Sequence, residues 1–265
     1  MPELPEVEAA RKLAEIYIQG RQLQSVRTSN DPIVFDGITP RAFAHALRAR
    51  KILAVRRKGK YLWMELDRRP WPLFHFGMTG SFHVYKRPVS RPRFWKMELI
   101  TDDGFRLAMR NVRRLGRIRL TEDPERLPPV SNLGFDPLIE MLPIAAFVRE
   151  VQKRSCPIKS LLLNQAFAAG VGNWLADETL YQARIDPHGR CNRLGADTIR
   201  NLRTCLRRII RQAVAVDADA SRFPSTWLFH VRWGRHASAR TARGEVVRFD
   251  QIAGRTTAWV PSRQR

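Results

Sequence analysis

The stretch KSLLLNQAFAAGVGNWLADETLY, residues 159–181, decides how this chain is read. Ile158, Leu161, Leu162 and Gln165 open a helical pattern. The run from Ala168 to Gly172 breaks it, and Asn173 is the candidate N-cap of a second helix running to about Tyr181. Two helices joined by a tight glycine-containing turn form a helix–turn–helix unit. Backbone N–H groups and the dipole at the start of the second helix suit a phosphate. Glycine-rich helix connections also occur with no ligand, so the stretch speaks first about fold.

Moving toward the C-terminus, Ile199, Leu202, Leu206, Ile209, Ile210 and Ala213 lie on one helical stripe, with Asp197 as candidate N-cap. From Trp227 onward the signals turn strand-like. Gly244 precedes Val246 to Phe249 and Gly254 precedes Thr256 to Val260, which predicts a hairpin. In the other direction, Pro and acidic residues at 124–137 read as a linker. Before it, Gln24 to Leu120 is a series of short apolar or alternating runs, among them Ile52 to Val55, Tyr61 to Met64, Phe82 to Tyr85 and Arg117 to Leu120. A helix from Pro5 to about Ile18 precedes them, with Val7, Ala10, Ala14 and Tyr17 at helical spacing. The expected class is α+β: a β-rich catalytic domain at 1–123, a linker at 124–140, a helical domain at 141–222 and a hairpin at 223–265.

The chain has 265 residues, with 47 Lys and Arg against 25 Asp and Glu and a formal net charge of +22. So basic a protein implies a polyanionic partner, and charge spread along the length favours nucleic acid over a membrane surface. No apolar run approaches the roughly 20 residues of a membrane span. Glu3, Glu6 and Glu8 stand where a signal peptide carries basic residues. Three widely spaced cysteines, Cys156, Cys191 and Cys205, argue for a reducing compartment and against a disulfide framework or a zinc finger. The histidines supply no metal spacing, so no cofactor and no zinc are expected.

Several residues could carry chemistry. Removal of Met1 would expose the secondary amine of Pro2, and an α-amino group titrates near 8, so part of it is unprotonated at neutral pH. Such an amine can attack C1′ of a damaged nucleoside and form a Schiff base. Glu3 and Glu6 could move protons beside it. Pro and Glu are equally good first-turn helix residues, so the local pattern has two readings. In Arg56-Arg57-Lys58-Gly59-Lys60-Tyr61, Lys60 could reach a phosphate, or the run could be a solvated edge. Met78, between glycines at 76–81, is either a core residue or a wedge that fills the gap left by a flipped base. Arg113, Arg114 and Leu115 are further candidates of that kind, and Arg255 on the hairpin suits a phosphate.

Taken together, MPELPEVE at 1–8, GKYL at 59–62, FGMTGSF at 76–82, RRLG at 113–116, LGFDPL at 133–138, the 159–181 stretch and GRTTAW at 254–259 resemble formamidopyrimidine-DNA glycosylase and its endonuclease VIII relatives. The resemblance is collinear from residue 1 to about 261. It implies an N-terminal helix with a two-sheet β-sandwich, a helix–two-turn–helix domain, and a monomer acting on damaged double-stranded DNA. Pro2 would be the Schiff-base nucleophile, Glu3 the proton donor and shuttle, and Glu6 a support. Lys60 would assist at the lesion and its phosphate, and Lys159 would line the lesion site. Met78, Arg113 and Leu115 would fill the duplex void, and Asn173 with Arg255 would grip the flanking phosphate.

The chain departs from the bacterial pattern in three places. The four-cysteine zinc finger is absent, and the tail is similar to the zincless finger of plant and fungal members. Leu115 follows the paired arginines in place of phenylalanine, and Asn111 replaces an aspartate. The stretch from Val214 to Pro224, where the family carries the loop over a flipped 8-oxoguanine, is short. The short loop points toward formamidopyrimidine and hydantoin lesions, with 8-oxoguanine less favoured, while Leu115 bears on the preference for the opposite base. Competing readings are an oxidised-pyrimidine glycosylase of the endonuclease VIII kind, a non-catalytic damaged-DNA binder, and a generic basic nucleic-acid protein. The compartment would be bacterial cytoplasm and nucleoid, or a nucleus.

Overall fold

The computed structural model describes residues 2–236 and 238–265, which divide into two compact units. Pro2 and Glu6–Asn132 form the first; Glu3–Pro5 and Leu133–Arg265 form the second.

The chain opens with helix α1 (Leu4–Ile18), whose Val7, Ala14 and Ile18 are fully buried at helical spacing. The first unit then adds β1 (Leu23–Thr28), α2 (Pro40–Leu47), β2 (Ile52–Lys58), β3 (Tyr61–Leu66), β4 (Trp71–His75), β5 (Gly80–Tyr85), β6 (Trp95–Thr101), β7 (Arg106–Asn111) and β8 (Arg117–Thr121). Two antiparallel four-stranded sheets result, ordered β1-β6-β7-β5 and β2-β3-β4-β8. Leu62, Met64 and Phe74 from one sheet share a single core with Phe82, Leu99, Leu107 and Met109 from the other, which makes a sandwich. The register sets the loops that matter later. Lys58 pairs with Tyr61 around the Gly59-Lys60 turn, and Gly80 pairs with Asn111.

The reading of 24–120 as strands alone misses α2. Its start is written in Thr39, whose hydroxyl accepts the Ala42 N–H at 3.2 Å, and in Pro40 at the first position. Only Phe43 and Leu47 are buried along its eight residues, too few to show a helical period.

The second unit is helical, with α3 (Ile144–Gln152), α4 (Ile158–Leu163), α5 (Asn173–Ala183) and α6 (Ala196–Ala215), followed by the hairpin β9 (Arg248–Ile252) and β10 (Arg255–Trp259). All six apolar residues expected on the α6 stripe are buried. Asp197 is not its cap: Gly195 holds that position, and Asp197 sits in the first turn paired with Arg200. The strand-like signal after Trp227 is a 3-10 turn at Leu228–His230, and Val246 makes only an isolated bridge to Arg240 before β9 begins. The linker is shorter than the 124–140 composition suggests, because 133–140 packs into the helical unit. Gly134 N–H donates to Gln165 O at 2.9 Å, and Phe135 meets Phe147 and Phe167 edge-on.

Candidate active site

The turn between α4 and α5 is where the sequence places the phosphate-binding features, and its geometry is specific. Gly170 takes a positive φ of 88° and its carbonyl accepts the Leu4 N–H at 3.0 Å, which stitches residues 3–5 onto the turn. Glu3 is thereby set against the first turn of α5. Its carboxylate accepts N–H bonds from Gly172 (2.9 Å), Trp174 (2.9 Å) and Leu175 (3.1 Å) while the residue is only 3% exposed.

This corrects the expected capping. Gly172, not Asn173, holds the cap position and offers no side chain; Asn173 is the first helical residue. A carboxylate 170 positions earlier in the chain satisfies the amides that a local cap would take, in the favourable field of the helix dipole. The glycine is sterically required, since a Cβ at 172 would lie 2.3 Å from Glu3 Cδ.

Beside the turn lies a cluster of buried charges. Lys159 on α4 was expected to face DNA; it is instead fully enclosed, and its ammonium meets Asp177 Oδ1 at 2.6 Å, Thr257 Oγ1 at 2.8 Å and Thr256 O at 3.1 Å. The other Asp177 oxygen accepts from Arg232 Nη2 at 2.7 Å and from Ala258 N–H at 3.1 Å. Burial lowers the Lys159 pKa, and Asp177 and Glu3 oppose that shift while Arg232 adds to it. Two cations, Lys159 and Arg232, share the Asp177 carboxylate, and the charge of Glu3 also acts on Lys159. Removing one member would leave a buried charge unmatched, at a cost of about 3–5 kcal/mol. Asn173 Nδ2 donates to the same Thr256 carbonyl at 2.8 Å, so Asn173, Lys159 and the strand that begins at the exposed Arg255 are brought together.

The first unit holds the remaining candidates. Pro2 is half-buried, as is Glu6. Removal of Met1 concerns a residue outside the described ones. In the cationic run, Arg57 is not solvated; it is buried and donates to Glu8 Oε2 at 2.8 Å and to Gly59 O at 3.0 Å. Lys60 occupies the turn between β2 and β3, half-buried. Its charge acts on His75, whose pKa is pushed down to about 4 by burial first, then by Lys60, Arg117 and Arg119. The imidazole is therefore neutral at pH 7. Its Nδ1 accepts the Gly77 N–H at 3.3 Å, which leaves Nε2 as the N–H donor.

Met78 and Arg113 sit on two interlocked loops. Thr79 Oγ1 accepts the Arg113 N–H at 3.1 Å, and Asn111 donates to Phe76 O at 2.9 Å while accepting from Gly116 N–H at 3.3 Å. Gly77, at φ 62°, lies so close that a Cβ there would be 2.3 Å from Leu115 O. Met78 is half-buried, Arg113 is exposed, and Leu115 is 43% exposed. Arg114, by contrast, is held by Asp31, which also binds Lys96 at 2.6 Å. Burial alone would push the Asp31 carboxyl up, but these hydrogen bonds outweigh it and hold it below the usual range.

Sequence reasoning did not single out Asp177, Arg232 or His75. Asp177 and Glu178 sit in an ordinary-looking helix interior, and only their complete burial marks them. A His two residues before the glycine of FGMTG was a signal in plain sight.

Comparison with known proteins agrees with this geometry. Residues 1–118 match the family model described as the formamidopyrimidine-DNA glycosylase N-terminal domain, and residues 133–225 match its H2TH domain. The formamidopyrimidine-DNA glycosylase of Arabidopsis thaliana is 39% identical over 278 aligned residues, covering 100% of this chain and 71% of its own. That of Heliobacterium modesticaldum is 32% identical with full coverage of both. Among solved structures, Lactococcus lactis Fpg in complex with DNA containing an abasic site superposes with a TM-score of 0.86 at 25% identity, covering 99% of each chain. The chain belongs to the formamidopyrimidine-DNA glycosylase family and is an enzyme of base-excision repair, a DNA glycosylase and lyase.

Proposed function

We propose that the chain excises oxidised purines, formamidopyrimidines and hydantoins foremost, and nicks the strand through a Schiff base on Pro2. The unprotonated Pro2 nitrogen attacks C1′ and the damaged base leaves with its electron pair. As it bonds, the Pro2 nitrogen sheds its N–H proton to the Glu3 carboxylate, and Glu3 passes that proton to O4′ as the C1′–O4′ bond breaks, leaving an iminium between Pro2 and C1′. Loss of a C2′ proton then expels the 3′ phosphate, a second elimination expels the 5′ phosphate, and water releases the amine. Glu6 and Lys60 support the site, the latter at the flanking phosphate. Met78, Arg113 and Leu115 enter the duplex gap, and Asn173 with Arg255 grips the backbone.

The observation that carries this reading is the clamp on Glu3. A carboxylate next in sequence to the proposed nucleophile is buried and fixed by three backbone N–H groups. A residue serving only as a helix starter has no need of that. The lesion preference rests on the connection after α6. Asp217 and Ala218 turn the chain at positive φ, Ala218 N–H returns to Ala213 O at 2.8 Å, and Phe223 and Trp227 are already packed on Trp174, which leaves little chain to cover a flipped 8-oxoguanine.

Borohydride trapping on a duplex with an abasic site, with mass mapping of the adduct, tests the chemistry. The expected adduct is on the Pro2 amine and is lost in Pro2→Gly or when residues are added before Pro2. Tight abasic-DNA binding without any adduct would replace the enzyme reading with a damage-binding one. Excision of 8-oxoguanine equal to or faster than that of hydantoins in competition would overturn the lesion preference.

A further inference from the structure

A zinc ion held by four cysteines is what bacterial relatives imply for the C-terminal hairpin, and the residues present do not fit it. Residues 223–265 contain no cysteine, and Cys156, Cys191 and Cys205 all precede the end of α6. Among the described residues no three His, Cys, Asp or Glu side chains converge as metal ligands. Yet a two-stranded hairpin with five residue pairs is marginal by itself in water, so other contacts must hold β9 and β10 in place.

A buried apolar cluster of Tyr181, Leu228, Val247, Ala258 and Val260 supplies part of them, and Asp177 supplies the polar part. From α5 its Oδ2 accepts the Ala258 N–H of β10 and the Arg232 guanidinium, while Oδ1 faces the Lys159 ammonium. Lys159 passes the constraint on to Thr257 Oγ1 and Thr256 O, and Asn173 binds that same carbonyl. Three consecutive residues, Thr256, Thr257 and Ala258, are thus fastened directly after Arg255. The carboxylate is 1% exposed, so water competes little for these bonds.

We propose that Asp177 is a positioning residue: its carboxylate, bridging Lys159 and Arg232, sets the hairpin that carries Arg255 and takes the place of a metal ion. The inference deepens the reading of Arg255 and Asn173 as a phosphate grip and rests on it. Asp177 touches no reacting atom. It acts through the register of the hairpin on α5, so its loss should weaken DNA binding and leave the chemical step on bound DNA intact.

The near-isosteric Asp177→Asn variant is the first test. The expected result is a Kd for abasic-site duplex raised roughly tenfold or more, the equivalent of one charged hydrogen bond. The single-turnover trapping rate at saturating DNA should stay near wild type. Amide exchange at Thr256 to Ala258 should quicken in the free protein. Arg232→Gln should do the same, and Arg232→Lys, which keeps the charge, should recover much of the affinity. That pair carries the test if Asp177→Asn does not fold. Elemental analysis of the purified wild type should find no stoichiometric zinc, and chelators should leave incision unchanged. Unaltered Kd and exchange in the folded variants, or one zinc per chain, would overturn the proposal. Failure of wild type to trap abasic DNA would instead sink the proposed function, with the exchange measurement still reading the hairpin.

Discussion

Glu3 and Gly172 fit each other with no space to spare: the glycine N–H donates to a Glu3 carboxylate oxygen at 2.9 Å, and a Cβ on the glycine would stand 2.3 Å from the carboxylate carbon. The backbone of Gly172 lies at φ −125°, a conformation open to any residue. Space, not backbone strain, is therefore what demands glycine here. The fit ties residues 3–5 to the start of α5.

Gly172→Ala should consequently act as a displaced-carboxylate variant. The protein should fold, because α5 is buried along most of its length, but Glu3 must leave its three amides. Loss of a placed proton donor costs roughly 10²–10⁴-fold in rate. Incision of lesion duplex should fall by that order in Gly172→Ala and likewise in Glu3→Gln, while abasic-DNA affinity changes little. Full incision by Gly172→Ala at normal stability would remove Glu3 from the chemistry.

The interlocked loops of the first unit make a separate prediction. Asn111 is fully buried and bridges the Phe76 carbonyl and the Gly116 N–H, so Asn111→Ala leaves the buried Gly116 N–H unpaired and the Phe76 carbonyl with the Gly80 N–H alone. The expected destabilisation is about 1–3 kcal/mol by chemical denaturation. Met78 and Arg113 hang on the loops that Asn111 joins, so discrimination of the base opposite the lesion should loosen in this variant. Borohydride trapping on an abasic site, which needs no such discrimination, should be much less affected. Equal loss on both substrates would separate these loops from base selection.

What was legible in the sequence follows from how local each signal is. The α6 stripe repeats over 20 residues and is read without ambiguity, and the hairpin announces itself through Gly254 in its turn. The importance of Glu3 was visible from its place beside Pro2, but its partners were not, because they lie 169 to 172 positions away. The same distance explains the misplaced cap: local rules assign Asn173 because they have no means of seeing a carboxylate arriving from the N-terminus. Asp177 and Glu178 are hidden for a related reason. Adjacent acids in a helix usually mark a wet face, and here Arg232 and the Phe229 amide, both more than 50 residues downstream, make a dry one.

Net charge gives a prediction independent of any single side chain. At +22 the protein should bind duplex largely through phosphate contacts that release counterions. Affinity for abasic duplex should fall on the order of a hundredfold or more between about 50 and 200 mM salt. Incision at subsaturating enzyme should fall in parallel, whereas incision at saturating enzyme should be much less sensitive. Salt-independent incision at low enzyme would show that the charge serves something other than this substrate.

Glu178 should make stability depend on pH. It is fully buried, accepts the Phe229 N–H at 2.9 Å and Gln182 Nε2 at 2.7 Å, and its pKa is pushed up to about 7, chiefly by burial. Hydrogen bonds from Gln182 and Phe229 and the charge of Arg232 pull the other way, while the charge of Asp177 adds to the rise. The folded state thus holds a proton that the unfolded chain gives up near its ordinary value of 4.5. The resulting stabilisation is complete below that value and is lost as pH rises through 7, an effect on the order of 3 kcal/mol at full range. Wild type should therefore lose stability between pH 5 and pH 8 relative to Glu178→Gln, which keeps a neutral acceptor for the Phe229 amide and cannot ionise. Denaturant titrations of the two proteins across that interval provide the check. Parallel curves would mean that Glu178 keeps one protonation state throughout.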